Sequence, residues 1–226
     1  MKIRLVLMVI AATLLIGIVA FTAQVLVTDP SIIGNALVST KLVIVEKAAN
    51  ACNISFVPGW NLVSFNCLSS STSYDGFFEN TTKHILRTYV ADDSADPWKS
   101  NNPDLPSWVV HDLATVGREN GYYLYSSNDS KLLRYGELVV PTLIPVVPGW
   151  NLIGYPSNAT KEINQTFGGN IPDFDYVQSY NASDTIDPWK EWTWNSSLAS
   201  NEDLNLTVPG FGYWVYMLSS EDVVVS

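Results

Sequence analysis

The chain has 226 residues, of which 47% are apolar and 12% aromatic, so it can form packed cores and lacks the polar composition of a disordered protein. Its formal net charge is −10 and its 12 Lys and Arg residues are scattered singly, which excludes the basic stripe that nucleic-acid binding requires. Length alone does not decide between one large domain and two small ones.

The first predicted element is a hydrophobic segment at the N-terminus. Lys2 and Arg4 precede a stretch at residues 5–28 that contains no charged residue. As a helix, a stretch of this length spans the roughly 30 Å hydrocarbon core of a membrane. We expect residues 1–30 to be either an uncleaved signal anchor or a cleaved signal peptide, followed by a connector at residues 31–40. Because positive charge precedes the segment, the rest is exported, and the predicted location is the outer face of the cell membrane or the medium.

Eight Asn-x-Ser/Thr triplets support export, because about three are expected from the composition and such triplets are acceptors for N-glycosylation. A polar, turn-rich sequence that generates triplets by chance is the alternative. The predicted glycosylation sites are Asn53, Asn80, Asn128, Asn158, Asn164, Asn181, Asn195 and Asn205.

The two cysteines, Cys52 and Cys67, flank a predicted hairpin. Pro58 and Gly59 separate two short runs of β-forming residues, a pattern typical of a hairpin. A disulfide across it would close a loop of about 15 residues and would require an oxidising compartment. Two buried free thiols are the alternative, and two cysteines without paired histidines supply too few ligands for a zinc site.

Three sequence blocks occur twice in the chain, and collinear blocks at a nearly constant spacing predict a tandem duplication. The blocks are residues 57–63 (VPGWNLV) with 147–153 (VPGWNLI), residues 96–99 with 187–190 (both DPWK), and residues 121–125 (GYYLY) with 212–216 (GYWVY). Lys-Leu pairs at Lys41 and Lys131 suggest that each copy opens with a strand ahead of the Pro-Gly-Trp turn. The first copy is therefore assigned to residues 41–130 and the second to residues 131–226.

Within each copy, short apolar runs bounded by Pro, Gly, Asn, Asp and Ser are typical of strands. In the first copy the predicted strands are residues 60–65, 85–90, 108–110 and 122–125, with a short helical turn near 74–78 and its counterpart at 164–167. The predicted fold class is mainly β, with two tandem small β-sandwich or barrel modules behind an N-terminal hydrophobic helix.

The repeated motifs resemble a β-rich repeat of bacterial and archaeal cell-surface proteins, in which a Gly-Trp-Asn-Leu-Ile/Val strand opens the unit and a Gly-Tyr-Trp-Val strand closes it. Here the motifs stand at residues 59–63, 149–153 and 212–215, with GYYL at residues 121–124 as a looser copy. The resemblance covers most of residues 41–226. It implies an extracellular, β-rich, non-enzymatic accessory module, usually attached to a larger surface protein.

The repeated aromatic residues are expected to form the core of each copy, because duplicated modules retain the residues that their fold needs and large aromatics dominate small cores. They are Trp60 and Trp150, Trp98 and Trp189, Tyr122 and Tyr213, and Tyr125 and Tyr216. A platform that stacks against sugars is the alternative. Trp98 and Trp189 are the better ligand candidates, since each follows a proline in a polar loop.

Asp93 and Asp96 recur as Asp184 and Asp187, three residues apart in the same loop. Such residues most simply cap the turn by bonding its backbone. Binding of Ca²⁺ is the alternative, but two carboxylates fall short of the six to eight oxygens that this ion takes.

Neither histidine belongs to the repeated framework, because His84 aligns with Asp175 and His111 with Glu202; both are expected at the surface. The sequence has no phosphate-binding loop, zinc-protease motif or nucleophile elbow. We therefore expect no enzyme activity, no cofactor and no metal.

Together these features predict a non-enzymatic structural or adhesive protein of the cell surface, such as a subunit of a surface layer or of a pilus-like extracellular filament. The alternative is an extracellular glycan-binding module. The expected partners are the membrane, through the N-terminal segment, further copies of the chain, and surface glycans, with nucleic acid excluded.

Overall fold

The structure is a computed structural model in which residues 50–79, 81–106, 108–109, 111–167, 174–194 and 203–226 are described. The chain separates into a unit at Met1–Ala48 and a compact unit at Ala49–Ser226, and the described residues all lie in the second unit. The predicted segment at residues 1–30 and the connector at 31–40 lie outside the described residues. In the described ranges, no helix is long and apolar enough to cross a membrane.

The described residues are mainly β, and their elements form two series with the same order. The first series, called the first half below, consists of β1 Asn50–Phe56, β2 Gly59–Val63, β3 Thr72–Ser73, α1 Tyr74–Phe77, β4 Ile85–Tyr89, β5 Trp98–Asn101, β6 Thr115–Val116, β7 Tyr122–Ser126 and β8 Ser130–Gly136. The second half consists of β9 Thr142–Val146, β10 Gly149–Ile153, β11 Lys161–Glu162, α2 Ile163–Phe167, β12 Phe174–Tyr180, β13 Trp189–Thr193, β14 Leu206–Thr207, β15 Tyr213–Met217 and β16 Glu221–Val225.

Strand pairing is the same in both halves. In the first half β1 pairs with β8, β3 pairs with β6, and a four-stranded sheet has the order β2-β7-β4-β5. In the second half β9 pairs with β16, β11 with β14, and the four-stranded sheet has the order β10-β15-β12-β13. The strand at Ser130–Gly136, which includes the predicted start of the second copy at Lys131, pairs with β1 and corresponds to β16.

Each half has its own hydrophobic core between its two-stranded and four-stranded sheets. In the first half, Ile54 of β1 and Leu132 of β8 share a cluster with Leu124 of β7. In the second half, Ile144 of β9 shares a cluster with Val215 of β15. These strands alternate buried and more exposed residues, so one face of each sheet supplies the core and the other face remains accessible.

The predicted hairpin around Pro58 and Gly59 is wrong, because the strands on either side of this turn belong to different sheets. β1 pairs with β8, whereas β2 pairs with β7. Gly59 has a φ of +102° and Gly149 a φ of +95°, a conformation that glycine adopts without a steric penalty. The Pro-Gly turn is therefore a corner that moves the chain from one sheet to the other.

The asparagine of the Pro-Gly-Trp-Asn motif holds this corner together. Asn61 Oδ1 accepts a hydrogen bond from the Val57 N–H at 3.1 Å, and Asn61 Nδ2 donates to the carbonyls of Val57 at 2.9 Å and Gly59 at 3.1 Å. Asn151 makes the same three bonds at its own corner. Because both asparagines are buried and bonded to backbone, the corner is fixed and the preceding tryptophan stays on the outer face of the four-stranded sheet.

The predicted disulfide is present. Cys52 and Cys67 are bonded with their Cα atoms 5.2 Å apart, and the bridge joins β1 to the segment that follows β2. The equivalent residues of the second half are Thr142 and Ser157, both buried, so the second half folds without a bridge at this place.

Most predicted elements of the first copy are found at their predicted places. The strands at residues 60–65, 85–90 and 122–125 correspond to β2, β4 and β7, and the helical turns correspond to α1 and α2. The strand predicted at residues 108–110 is wrong where the structure describes it, because Trp108 lies in a turn with 81% of its surface exposed and Val109 lies in a bend.

Candidate aromatic binding site

The outer faces of the two four-stranded sheets carry aromatic side chains. In β7, Tyr122 and Leu124 point into the core, whereas Tyr123 is half-buried and Tyr125 is exposed. A strand places alternate residues on opposite faces, so the outward positions of β7 and of its counterpart β15 are aromatic where solvent-facing strands usually carry polar residues. On the neighbouring strand β2, Trp60 lies opposite Tyr125.

The hairpin between β4 and β5 adds Tyr89 and Trp98, which lie opposite each other with ring centroids 5.3 Å apart. Asp93 caps the turn by accepting a hydrogen bond from the Asp96 N–H at 3.2 Å. Lys99 Nζ lies 2.8 Å from Asp93 Oδ2 and 3.4 Å from Asp96 Oδ2. The expected capping bond to backbone is observed for Asp93 and not for Asp96, whose carboxylate contacts Lys99 instead. A lysine ammonium is the cation that both aspartates contact.

The second half repeats this arrangement with one further contact. Lys190 Nζ lies 3.1 Å from Asp184, 3.3 Å from Asp187 and 2.9 Å from Asp203. The Asp187 N–H and the Lys190 ammonium hold the pKa of Asp184 below its usual value, and the Asp203 and Asp184 carboxylates raise the pKa of Lys190. These ion pairs lie at the surface, where each adds little stability. The Ile186 and Asp187 N–H groups donate to Asp184 Oδ1 and hold the turn of the hairpin that carries Trp189.

The two halves meet through reciprocal hydrogen bonds. The Ser64 N–H donates to the Gly210 carbonyl at 2.9 Å, and the equivalent Gly154 N–H donates to the Glu119 carbonyl at 2.8 Å. The Gly212 and Gly121 N–H groups likewise donate to the carbonyls of Leu62 and Leu152. When residue i contacts j and the equivalent of j contacts the equivalent of i, the two halves are related by a local two-fold axis.

This arrangement joins the outer faces into one surface. Trp214 of β15 has its ring centroid 5.2 Å from that of Tyr89 and 6.0 Å from that of Trp98, both in the other half. Trp214 also donates through Nε1 to the hydroxyl of Tyr123, its own equivalent, at 2.8 Å. We call this surface the aromatic platform; it consists of Trp60, Tyr89, Trp98, Tyr123, Trp150, Tyr180, Trp189 and Trp214.

The aromatic platform contains two open depressions, which we call subsite one and subsite two. Subsite one has a volume of about 300 Å³ and is lined by Trp60, Arg87, Trp98, Tyr123, Tyr180 and Trp189. Subsite two has a volume of about 310 Å³ and is lined by Tyr89, Trp150, Gln178, Trp189 and Trp214. Five of the lining positions are equivalent under the local two-fold axis, and Trp98, the counterpart of Trp189, lines subsite one alone. Each includes side chains from both halves, so neither half forms a complete subsite alone.

The polar groups of the platform are few and distinct. Arg87 lines subsite one and Gln178 occupies the equivalent position in subsite two. Within the described ranges, no residue accepts a hydrogen bond from the indole N–H of the four exposed platform tryptophans, Trp60, Trp98, Trp150 and Trp189. Burial raises the pKa of Tyr123, and the hydrogen bond from Trp214 acts in the opposite direction. The site therefore offers aromatic faces with hydrogen-bond donors beside them.

Of the repeated aromatic residues that were expected in the core, some are buried and others are exposed. Tyr122 and Tyr213 are fully buried, as expected. For Trp60, Trp98, Tyr125, Trp150 and Trp189 the expectation is wrong, because each exposes more than a third of its surface, and Tyr216 is half-buried. The candidates Trp98 and Trp189 lie together on the platform, where both line subsite one. Sequence reasoning missed Arg87, Tyr89, Tyr123, Tyr180, Gln178 and Trp214, although alternation within the strands would have placed them on the outer face.

Of the predicted glycosylation sites among the described residues, Asn181 directly follows Tyr180 of the platform. Asn53, Asn128, Asn158, Asn164 and Asn205 are exposed, and Asn181 is half-buried. None of these six lines subsite one or subsite two. Asn80 and Asn195 lie outside the described residues.

The expected surface position of His84 is wrong. Its ring is buried, with centroids 5.5 Å from Phe56 and 5.9 Å from Phe78, and burial lowers its pKa. His111 is half-buried, and its Nδ1 accepts a hydrogen bond from the Asn102 N–H at 3.3 Å. In the part of the chain that the structure describes, no group of three His, Cys, Asp or Glu residues could hold a metal ion.

Comparison with known proteins found no matching family model, no matching curated protein and no matching solved structure. The aromatic platform is therefore the feature of this chain from which a function can be inferred.

Proposed function

We propose that this chain is a non-enzymatic, adhesive protein of the cell surface that binds carbohydrate through the aromatic platform. In this proposal the two halves are tandem β-sandwich modules, exported behind the N-terminal hydrophobic segment. The observation that carries the proposal is a row of aromatic side chains, open to solvent, that continues from one half to the other across the local two-fold axis.

The chemistry of the platform fits sugars. Exposed apolar surface is costly to maintain, and a contiguous patch on a folded protein usually marks a binding surface. Pyranose rings present C–H groups on their flat faces and hydroxyl groups at their edges. The tryptophan faces can pack against the C–H groups. The indole N–H groups, Arg87 and Gln178 can donate hydrogen bonds to the hydroxyl groups.

The shape and surroundings of the platform also favour sugars. Depressions of about 300 and 310 Å³ that are open to solvent suit individual sugar units of a longer chain. None of the predicted glycosylation sites among the described residues lines either subsite.

Removing the two hairpin tryptophans tests this proposal. We expect the double variant Trp98→Ala, Trp189→Ala to lose at least about tenfold in affinity for an oligosaccharide identified on a glycan array, because both side chains line subsite one and tryptophans dominate such sites. Isothermal titration calorimetry measures the affinity. The matched control is Trp108→Ala, which removes an exposed tryptophan outside the platform and should leave the affinity unchanged. Unchanged binding by the double variant, or an array without any bound oligosaccharide, would refute the proposal.

The assembly role, as a subunit of a surface layer or a filament, stays a prediction. It is based on the N-terminal segment, the glycosylation sites and the resemblance of the repeated motifs to cell-surface proteins. Electron microscopy of the full chain, in which only separate membrane-attached monomers were found, would argue against it.

A further inference from the structure

The two subsites share most of their aromatic lining and differ at one polar position. Trp60, Tyr123 and Tyr180 of subsite one correspond to Trp150, Trp214 and Tyr89 of subsite two, and Trp189 lines both. Trp98 lines subsite one alone. At the polar position, subsite one has Arg87 and subsite two has Gln178. Both subsites therefore offer aromatic faces, and the charge of Arg87 distinguishes their polar groups.

The Arg87 guanidinium is exposed in subsite one and has no carboxylate partner among the described residues. It lies on the outer face of β4, opposite Tyr123 of β7, and its side chain is exposed. Its guanidinium carbon lies 5.2 Å from the centre of the Trp60 ring, a distance at which a cation and an indole face attract each other. Among the described residues no carboxylate forms an ion pair with Arg87, and it is the one charged residue in the lining of subsite one.

Gln178, unlike Arg87, is neutral and lies near a carboxylate of the protein. Gln178 lies opposite Glu191 on β13 and donates to the Tyr176 hydroxyl at 3.3 Å, and that hydroxyl in turn donates to Glu191. The equivalents of Tyr176 and Glu191 in the first half are Ile85 and Ser100, so no carboxylate stands at this place beside Arg87. A carboxylate of the protein near subsite two disfavours an anionic ligand there.

We propose that subsite one binds a carboxylated sugar, a uronic acid, and that subsite two binds a neutral sugar, so that the ligand of the platform is an acidic polysaccharide. This inference rests on the proposed function. A guanidinium can bind a carboxylate through two parallel hydrogen bonds, and Arg87 is positioned beside the Trp60 face on which the sugar ring stacks. The net charge of −10 repels polyanions in general, so discrimination in favour of acid must come from this local cation.

The test compares acidic oligosaccharides with their own neutral forms. Hexamers that contain galacturonate, mannuronate or glucuronate are each paired with the same hexamer after reduction of its carboxyl groups, and affinities for the folded protein are measured by isothermal titration calorimetry at low and high salt. We expect at least one acidic hexamer to bind about five- to tenfold more tightly than its reduced form, with a difference that shrinks at high salt.

The Arg87→Gln variant places the residue of subsite two in subsite one. It should lose the preference for acid, so that the acidic hexamer and its reduced form bind with equal affinity and the salt dependence of their difference disappears. The Lys131→Gln variant is the matched control, because it removes the same charge from an exposed position on β8 and should preserve the preference for acid.

The possible failures are distinguishable. If acidic and reduced hexamers bind equally, or if Arg87→Gln weakens both by the same factor, the acid preference is refuted and the carbohydrate-binding proposal stands. If no hexamer of either kind binds, the uronic-acid inference fails, and the glycan array decides whether the carbohydrate-binding proposal fails with it. If an acidic peptide binds in an Arg87-dependent manner where no hexamer does, the partner is a protein and the inference is overturned.

Discussion

At the scale of single residues, His84 shows how a position outside the repeated framework becomes part of a core. Its ring packs between Phe56 and Phe78, and the Tyr74 hydroxyl donates to its carbonyl at 2.5 Å. Burial disfavours the charged imidazolium and so lowers the pKa of His84 in the folded chain below its usual value of 6.5. The unfolded chain therefore binds the proton more readily than the folded chain.

This difference predicts a stability that depends on pH. The contribution of neutral His84 is fully present above pH 6.5 and is lost as the pH falls from 6.5 through the lowered pKa of the folded state. We expect the free energy of unfolding, measured by urea titration, to fall between pH 7.5 and pH 5. The variant His84→Gln should flatten this dependence, whatever its stability at pH 7.5. A slope that His84→Gln leaves unchanged would show that another group is responsible.

Single residues also show why the site was only partly predictable. Trp60 and Tyr122 are both repeated in the second half, yet Tyr122 is buried in the core and Trp60 is exposed on the outer face. Repetition therefore cannot separate core from site. The alternation of β7 could have done so, since it puts Tyr123 and Tyr125 on the face opposite Tyr122. The position of Arg87 beside them depends on strand pairing, which composition and spacing do not reveal.

At the scale of elements, strand positions could be predicted and strand partners could not. The β-forming runs at β2, β4 and β7 are visible in the sequence. A Pro-Gly pair between two such runs is typical of a hairpin, but the bonds made by Asn61 turn it into a corner between sheets. Local sequence favours a turn in either case, and long-range packing decides where the next strand pairs.

Removal of the corner bonds should destabilise the fold. We expect Asn61→Ala to lower the free energy of unfolding by about 2 to 3 kcal/mol, because three hydrogen bonds disappear and the half-buried backbone groups of Val57 lose their partner. Asn151→Ala should have a similar effect. Urea unfolding followed by fluorescence measures both. Gln165→Ala, at an exposed position of α2, is the control and should change stability by less than about 0.5 kcal/mol. An equally small loss in Asn61→Ala would contradict this account of the motif.

At the scale of the whole molecule, the glycine of the repeated Gly-Tyr block has a role that the motif alone does not reveal. A Cβ on Gly121 would lie 2.7 Å from the Ile153 carbonyl oxygen, and one on Gly212 would lie 2.9 Å from the Val63 carbonyl oxygen. Both contacts cross from one half to the other. The glycines therefore allow the two backbones to approach at the local two-fold axis, next to Tyr123 and Trp214 of the platform.

A methyl group at this contact should separate the halves. We expect Gly121→Ala to lower the free energy of unfolding by about 1 to 3 kcal/mol, because the new Cβ meets backbone that cannot move aside easily. It should also weaken oligosaccharide binding, since Tyr123 lies two residues away. The control is Gly76→Ala, which disturbs the Ser73 capping bond within the first half, far in sequence from the contact between the halves, and should leave oligosaccharide binding unchanged. If Gly121→Ala proves as stable as the unmodified protein and binds equally well, the close approach of the halves has no role in forming the platform.

The local two-fold axis has a consequence for how a polymer lies on the platform. A polysaccharide has a direction, from its non-reducing end to its reducing end, and a two-fold rotation reverses that direction. A single strand that crosses from subsite one to subsite two therefore presents its sugars to the second subsite in the reversed sense. Equal use of both subsites would require two strands in antiparallel alignment. If the platform binds a polysaccharide, as we propose, the difference between Arg87 and Gln178 gives a single strand a preferred orientation.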